Sequence, residues 1–555
     1  MTTRRHFLSQ GMTALAALGV ARRDAQAVGT RIPTTSAARR LAPAAFIPAT
    51  PDPSTFQRLA LVAMDAARAA GAEMADIRIG MQRQVIVSTR PEVQFEIGYG
   101  VRARVRGTWG FEYGTTLSND AVARVARSAV RGAQRYAETN TALGLAPDGE
   151  LAPRPVVTGE WRVPVEIDPF TVPIDDYYRV IGALAEDLAR IHRNRQIESG
   201  TLVWTAETRV FASTDGSLVT QYFMRGGHNG RGDATLPAVT MDRVSIDIPT
   251  RREQSGGFEL VLVPTTTDTL LARMEEATRL RELPLRPFLD VGRFPVVFDG
   301  TAFGSVIGET VGLAMDAERV AGLEADASGT SFLSPIGEIV HAARPSFSSL
   351  LTIRSDRALP STLAAQWDDE GVTPTPYTII DHGKVVDYHT TRETVGLLAS
   401  WYAERGVPLQ AHGTAIAPSC TSVPVCGTGH LRVAPDSRTS AAASVYELAK
   451  DMQHGFILRG GRADASESLS LATLDGSMAI EVQRGKPIAR TGVLLQFPTI
   501  PLLREKLVTL GGTPTERTVP AWTPKGMPWE WVTQEVTAPA ALCKDVDVVS
   551  WAFRT

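Results

Sequence analysis

The sequence predicts an α+β fold, with an N-terminal sheet-and-helix domain and a strand-rich C-terminal domain that carries one buried helix. Three patterns in the 555 residues predict it. Apolar residues at helical spacing dominate the early chain, short strands with glycine turns dominate the late chain, and the two regimes meet at a polar, glycine-bearing stretch over 251–257. Apolar residues make up 43% and charged residues 21%, which allows a sizeable core and excludes disorder for the whole chain. Fifty-seven Lys and Arg against 60 Asp and Glu leave a net charge of −3, which argues against nucleic acid as the main partner. Three cysteines can make neither a disulfide framework nor a Cys₄ zinc site.

The elements follow in order. Arg4-Arg5 stands before Phe7-Leu8, an apolar stretch runs from Gly11 to Ala21, and Ala25-Gln26-Ala27 has the small-x-small form of a cleavage site. This order resembles a twin-arginine export signal over 1–27, the plainer alternative being an unstructured basic N-terminus. Eleven apolar residues are too few to span a bilayer, so no membrane is expected for the mature form. Losing 1–27 removes four Arg and one Asp and takes the net charge from −3 to −6. The signal implies a periplasmic or extracellular destination, where Cys420 and Cys426 could pair, although the sequence leaves that open.

Residues 28–55 read as a linker rich in Ala, Pro, Thr and Arg, and the first domain runs over 56–250. It opens with a helix from Ser54 to Gly71, using Phe56, Leu59, Leu61, Val62, Ala66 and Ala69. Strands are expected at 76–80, 84–88, 101–106 and 109–113, with the arginine face of Val101–Arg106 in water. Ser118-Asn119-Asp120 can cap a second helix carrying Val122, Val125, Ala129 and Val130 on one side, and a third runs from Ile174 to Ile191 with Tyr178, Ile181, Leu184, Ala185 and Leu188 inward. The second domain spans 257–510, with strands at 259–263, 295–298, 377–380, 384–388, 469–472, 478–483 and 488–496. Helices are expected at 301–321 and 440–451, and hairpins turn at His382-Gly383, Asp475-Gly476 and Arg484-Gly485. Residues 511–555 read as a C-terminal tail packed on the body.

Several segments in this order resemble the TldD/PmbA family of metallopeptidases. They are Ala66–Arg78, Gly100–Val105, Gly107–Phe111, Trp367-Asp368-Asp369-Glu370-Gly371-Val372 and Tyr377–Lys384, and the resemblance covers roughly 55–545. It implies a His-Glu-x-x-x-His helix in which two imidazoles hold zinc and the glutamate deprotonates the bound water. The matching stretch here is Gly308-Glu309-Thr310-Val311-Gly312-Leu313, followed by Asp316, Glu318 and Arg319. Glu309, the acid of the family motif and the one catalytic candidate, survives, while Gly308 and Leu313 replace both histidines. The resemblance also implies a cysteine as third ligand, but the comparable region, Pro528–Gln534, has none, and Cys543 lies in the wrong place. A hydrolytic zinc needs about three protein ligands, so no metal or other cofactor is expected and Glu309 reads as vestigial.

The family includes a branch without the metal site, which joins a metal-bearing sibling in a two-component protease. The resemblance therefore implies that partner, and an unfolded peptide as substrate. Two alternatives stand beside it. One is an active metallopeptidase with ligands relocated to His382, His389, His412, His430 or a cysteine, and the other is a peptide-binding scaffold with no protease role. Asp368-Asp369-Glu370-Gly371 reads as a solvated turn, since it lacks EF-hand spacing. Gly226–Gly232 reads as a flexible loop and not a P-loop, and Gly304-Ser305 lacks the Gly-x-Ser-x-Gly spacing of a nucleophile elbow.

Overall fold

The computed structural model describes residues 51–87, 92–145, 149–191, 202–227, 254–262, 291–333, 346–357, 363–526 and 529–549, with scattered positions between 240 and 286 and at 361. The leader, nearly all of the 28–55 linker and most of the Gly226–Gly232 loop lie outside these residues.

Helix α1 is Pro53–Ala69, so it starts inside the stretch read as linker. Asp52 caps it by accepting from Ser54 N at 2.8 Å, and Gly71, at φ +93°, releases the chain. Its buried face is Phe56, Leu59, Ala60, Ala63, Met64 and Ala67, with Leu61 left outside. The two strands expected at 76–88 are one, β1 (Met74–Val87), which pairs with β2 (Glu92–Val105). Arg106 and Gly107, both at positive φ, turn β2 into β3 (Thr108–Gly114). Helix α2 (Asn119–Ala142) is capped by Ser118 Oγ and packs on that hairpin. A Cβ on Gly110 would come within 2.2 Å of Ala129 O, so glycine permits this approach. The sheet runs β3-β2-β1-β5-β6-β4, with β4 (Thr158–Arg162), β5 (Leu202–Ser213) and β6 (Leu218–Gly227). Helix α3 (Ile174–Ile191) buries Ile174, Tyr177 and Ile181, while Tyr178 is largely exposed, because Tyr177 is the residue that meets Trp204 and Phe258. The side chains of Leu184, Ala185 and Leu188 lie outside the described residues.

In the C-terminal half, strands β7 (Gly292–Phe298), β12 (His454–Leu458), β14 (Leu471–Gln483), β15 (Lys486–Pro498) and β19 (Ala541–Val549) close into a ring, because β7 pairs with both β12 and β19. Closure leaves these five strands no free edge. Strand β13 (Arg462–Ala465) joins β14, and β16 (Leu507–Leu510) joins β19. A second sheet runs β10-β9-β8-β11-β18-β17. Its strands are β8 (Ile353–Ser355), β9 (Tyr377–Asp381), β10 (Lys384–Val385), β11 (His430–Val433), β17 (Arg517–Lys525) and β18 (Glu530–Ala538). Between ring and sheet lies helix α4 (Gly300–Ile307), which continues as a π turn over Gly308–Gly312.

Several expectations change here. The helix read at 301–321 breaks after Met315, where Asp316 turns to extended backbone and caps a new helical turn, Ala317–Val320. The stretch 259–263 begins as a 3₁₀ turn, Phe258–Val261, not a strand, and 440–451 holds one helical turn, Val445–Leu448. Asp475-Gly476 lies inside β14, so the hairpin turns only at Arg484-Gly485. Residues 517–549 are not a tail laid on the body; they supply β17, β18 and β19, which hydrogen-bond within both sheets.

The arginine face over 101–106 is solvated only at its end: Arg106 is exposed and Arg104 half-buried, while Arg102 is buried. Arg102 is 3% exposed, and its guanidinium meets Asp76 at 2.7 Å and Glu370 at 3.1 Å. Asp368-Asp369-Glu370-Gly371, also read as solvated, is the buried partner. Asp369 takes Arg209 at 2.6 Å and Ala417 N at 2.7 Å, and Asp368 accepts the backbone N–H groups of Glu370, Val372 and Ala415. The acidic motif thus docks the C-terminal half onto β1, β2 and β5, and burial of charge is tolerated because arginines from the N-terminal half meet Asp369 and Glu370 while backbone N–H groups of its own half satisfy Asp368.

Candidate functional site

Helix α4 carries the motif acid. Its residues 300–308 are buried, because it sits between β13, β17 and β18. Burial pushes the Glu309 carboxyl up to about 7, with the charges of Arg462 and Arg319 opposing the shift and that of Asp464 assisting it. Such a group can exchange protons near neutrality.

The positions beside it do not fit a metal. Gly308 offers only its carbonyl, and that carbonyl accepts from Gln534 Nε2 at 3.2 Å. Gln534, 1% exposed on β18, also donates to Thr523 and accepts from Thr428 at 2.7 Å, so its amide is tied in place. A Cβ on Gly312 would lie 3.0 Å from Gln534 Oε1, which shows how closely β18 approaches the helix. Leu313 packs in the apolar cluster with Val311, Ala314 and Met315. Neutral amides, hydroxyls and an alkyl chain make a poor donor set for zinc, which takes imidazole, thiolate and carboxylate. No step of catalysis is therefore derived through a zinc at this place.

The sequence analysis missed Gln534 and Lys525. The first stands in the region compared with the family's cysteine context and was seen there only as a missing thiol. The second lies at the end of β17, 1% exposed, against a group of three acids. Among the described residues, Asp316, Glu318 and Glu324 are the one set of three His, Cys, Asp or Glu side chains whose ligand atoms lie within 4.8 Å of one another. Their cluster already contains the Lys525 side chain, whose Nζ touches Asp316 Oδ2 and lies 3.9 Å from Glu324.

The relocated-ligand candidates are spread out. His382 is exposed at the β9–β10 turn and bonds Asp381. His389 is fully buried; its Nδ1 bonds Tyr377, and burial holds the imidazole down at about 3. Tyr377 stacks on His412 at 3.8 Å, and His412 Nε2 lies 2.9 Å from Asp387. His430 pairs with Thr537 across β11 and β18, and burial lowers it to about 4. Cys420, Cys426 and Cys543 are unbridged and buried, and burial pushes Cys420 and Cys543 up to about 12. Apart from His382 these groups are buried in the core, and among the described residues no three of them converge.

Comparison with known proteins points to a metallopeptidase-related protein. Residues 291–526 match the PmbA/TldA metallopeptidase C-terminal domain. A metalloprotease of Methanocaldococcus jannaschii is 23% identical over 410 residues, covering 72% of this chain and 81% of that one. The fold is similar to that of TldE from Thermococcus kodakarensis, with a TM-score of 0.61 at 12% identity, covering 89% of this chain and 100% of that one. It is also similar to a protein from Thermotoga maritima described as a modulator of DNA gyrase, with a TM-score of 0.59 at 15% identity and coverage of 89% and 100%. Together these matches support the TldD/PmbA family for this chain.

Proposed function

We propose that the chain is the metal-free, non-catalytic subunit of a two-component peptide-cleaving protease. Its partner is a sibling that keeps His-Glu-x-x-x-His, and the pair acts on unfolded peptide. The twin-arginine-like leader takes the chain to the periplasm or beyond. One observation carries this reading: Gly308 and Leu313 stand at the positions the resemblance assigns to imidazoles, and Gln534, in the region compared with the family's cysteine, bonds the helix to β18. Extended peptide adds readily to an open sheet edge, which demands backbone and not sequence; β17 and β10 are the edges of the second sheet. Among the described residues no helix is long and apolar enough to cross a membrane.

The test is metal analysis and a peptidase assay on the purified mature chain, alone and co-expressed with such a sibling. The expected result is no bound zinc and no cleavage alone, with co-purification and activity in the pair. Stoichiometric zinc with unaided cleavage overturns the reading. Replacing Arg4-Arg5 with Lys-Lys is expected to keep the chain in the cytoplasm, which fractionation reads directly.

A further inference from the structure

The cluster under β17 has a second property. Lys525 and Asp316 are each no more than 1% exposed, far apart in sequence, and brought together by the packing of β17 on the chain after α4. Lys525 Nζ contacts Oδ2 of Asp316. The other oxygen, Oδ1, accepts the backbone N–H of Glu318 at 3.1 Å, so the carboxyl is oriented and polarised by its own capping role. Glu324, 3% exposed, places Oε1 3.9 Å from the amine. Apolar Val311, Ala314, Met315 and Ala317 flank this stretch of chain in the core. An amine, a polarised carboxyl and two further carboxyls, those of Glu318 and Glu324, are thus held in a dry site. There, two opposite charges are costly to keep and a neutral amide is not.

We propose that Lys525 and Asp316 are joined by an isopeptide bond that the protein forms by itself, with Glu324 carrying the proton. One proton passes from the ammonium to the carboxylate, leaving a neutral amine and a neutral acid. The amine nitrogen attacks Asp316 Cγ, and the N–Cγ bond forms. Glu324 takes a proton from that nitrogen and delivers it to Oδ2. The Cγ–Oδ2 bond then breaks and Oδ2 leaves as water. Amine and acid give amide and water, with no oxidant, metal or nucleotide. Fixed proximity supplies the drive that dilute amines and acids lack in water. Oδ1 stays in place as the amide carbonyl, so the cap on Glu318 N survives. The bond ties the edge strand β17 to the end of the α4 segment and closes a covalent loop through the C-terminal half.

The test is peptide mapping of the intact purified chain. Trypsin is expected to leave Lys525 uncut and to release a branched peptide that joins 294–319 to 518–544, lighter by one water than the two segments together. Glu324→Gln is expected to fold, by its circular dichroism, and to give the two segments mostly unlinked. Lys525→Arg keeps the charge and cannot form the amide, so it is expected to give only linear peptides. Cleavage after Lys525 with linear peptides from the unmodified chain overturns the proposal. A branched peptide at full yield from Glu324→Gln overturns the assignment of Glu324. If either variant fails to fold, the map of the unmodified chain still decides the bond.

Discussion

Glu309 is held in a place that resists its ionisation. Its carboxyl is raised to about 7 by burial, above the ordinary range of about 4.3 for the unfolded chain. The sign follows from linkage: the folded state holds the proton more tightly, so the group costs nothing below the unfolded value and its full penalty appears above the folded one. Glu309→Gln is therefore expected to stabilise the chain at pH 8 by about 1–3 kcal/mol and to change little at pH 4, as urea unfolding at the two pH values reads. In a complex with an active sibling the same variant is expected to leave peptidase activity nearly unchanged; a loss beyond about tenfold, roughly 1.4 kcal/mol of barrier, contradicts a vestigial acid. Restoring the imidazoles tests the neighbouring positions. Gly308→His with Leu313→His is expected to gain no zinc-dependent cleavage, because Gln534 supplies no thiolate or imidazole. It is also expected to cost about 2–4 kcal/mol, because Leu313 sits in the core.

At the scale of elements, local pattern and long-range packing divide the legible from the illegible. Helix α1, the β9–β10 turn and the Arg484-Gly485 hairpin follow from spacing, caps and positive-φ residues, all of which are local. The break after Met315 is not legible, because Asp316-Ala317-Glu318-Arg319 keeps helical composition while Asp316 turns cap. Asp475-Gly476 carries turn chemistry yet stays inside β14, since pairing with β13 and β15 on its two sides outweighs the local preference. The fit of β3 on α2 is likewise a matter of contact: Gly110→Ala places a methyl against Ala129 O and Ala133 N, 2.2 and 2.4 Å away. Backbone must move to admit it, so the variant is expected to lose about 2 kcal/mol or more of stability, measured by urea unfolding, whereas an exposed Gly144→Ala, limited to its positive φ, loses less.

At the scale of the molecule, the two halves are joined by charges that sequence alone reads as surface. The Arg102–Glu370 contact spans 268 positions, and no local window contains both partners. The same holds for Gln534 and Gly308, 226 positions apart, which is why the absence of histidines beside Glu309 was legible but the hydrogen bond from Gln534 to the Gly308 carbonyl was not. The joint carries a pH signature. Burial alone raises the Asp369 carboxyl, but Arg209, Arg357 and the Ala417 N–H outweigh it and hold it below the usual range; Asp76 is held low in the same way against burial by Arg102 and Arg78. A depressed carboxyl contributes stability that is present above its unfolded value, near 3.9, and is lost as pH falls through the folded one. Asp369→Asn keeps the shape and removes the charge, leaving Arg209 buried with Glu207 as its remaining acidic partner. It is expected to cost about 2–4 kcal/mol at pH 7. The gap to the unmodified chain is expected to shrink steadily below pH 4, because there the unfolded chain takes up a proton on Asp369 that the native carboxyl, held low by its arginines, still refuses. Thermal melts of both chains from pH 3 to pH 7 read this difference. A variant as stable as its parent at pH 7, or a gap that widens in acid, shows that the acidic motif fills space between the halves without holding them together by charge.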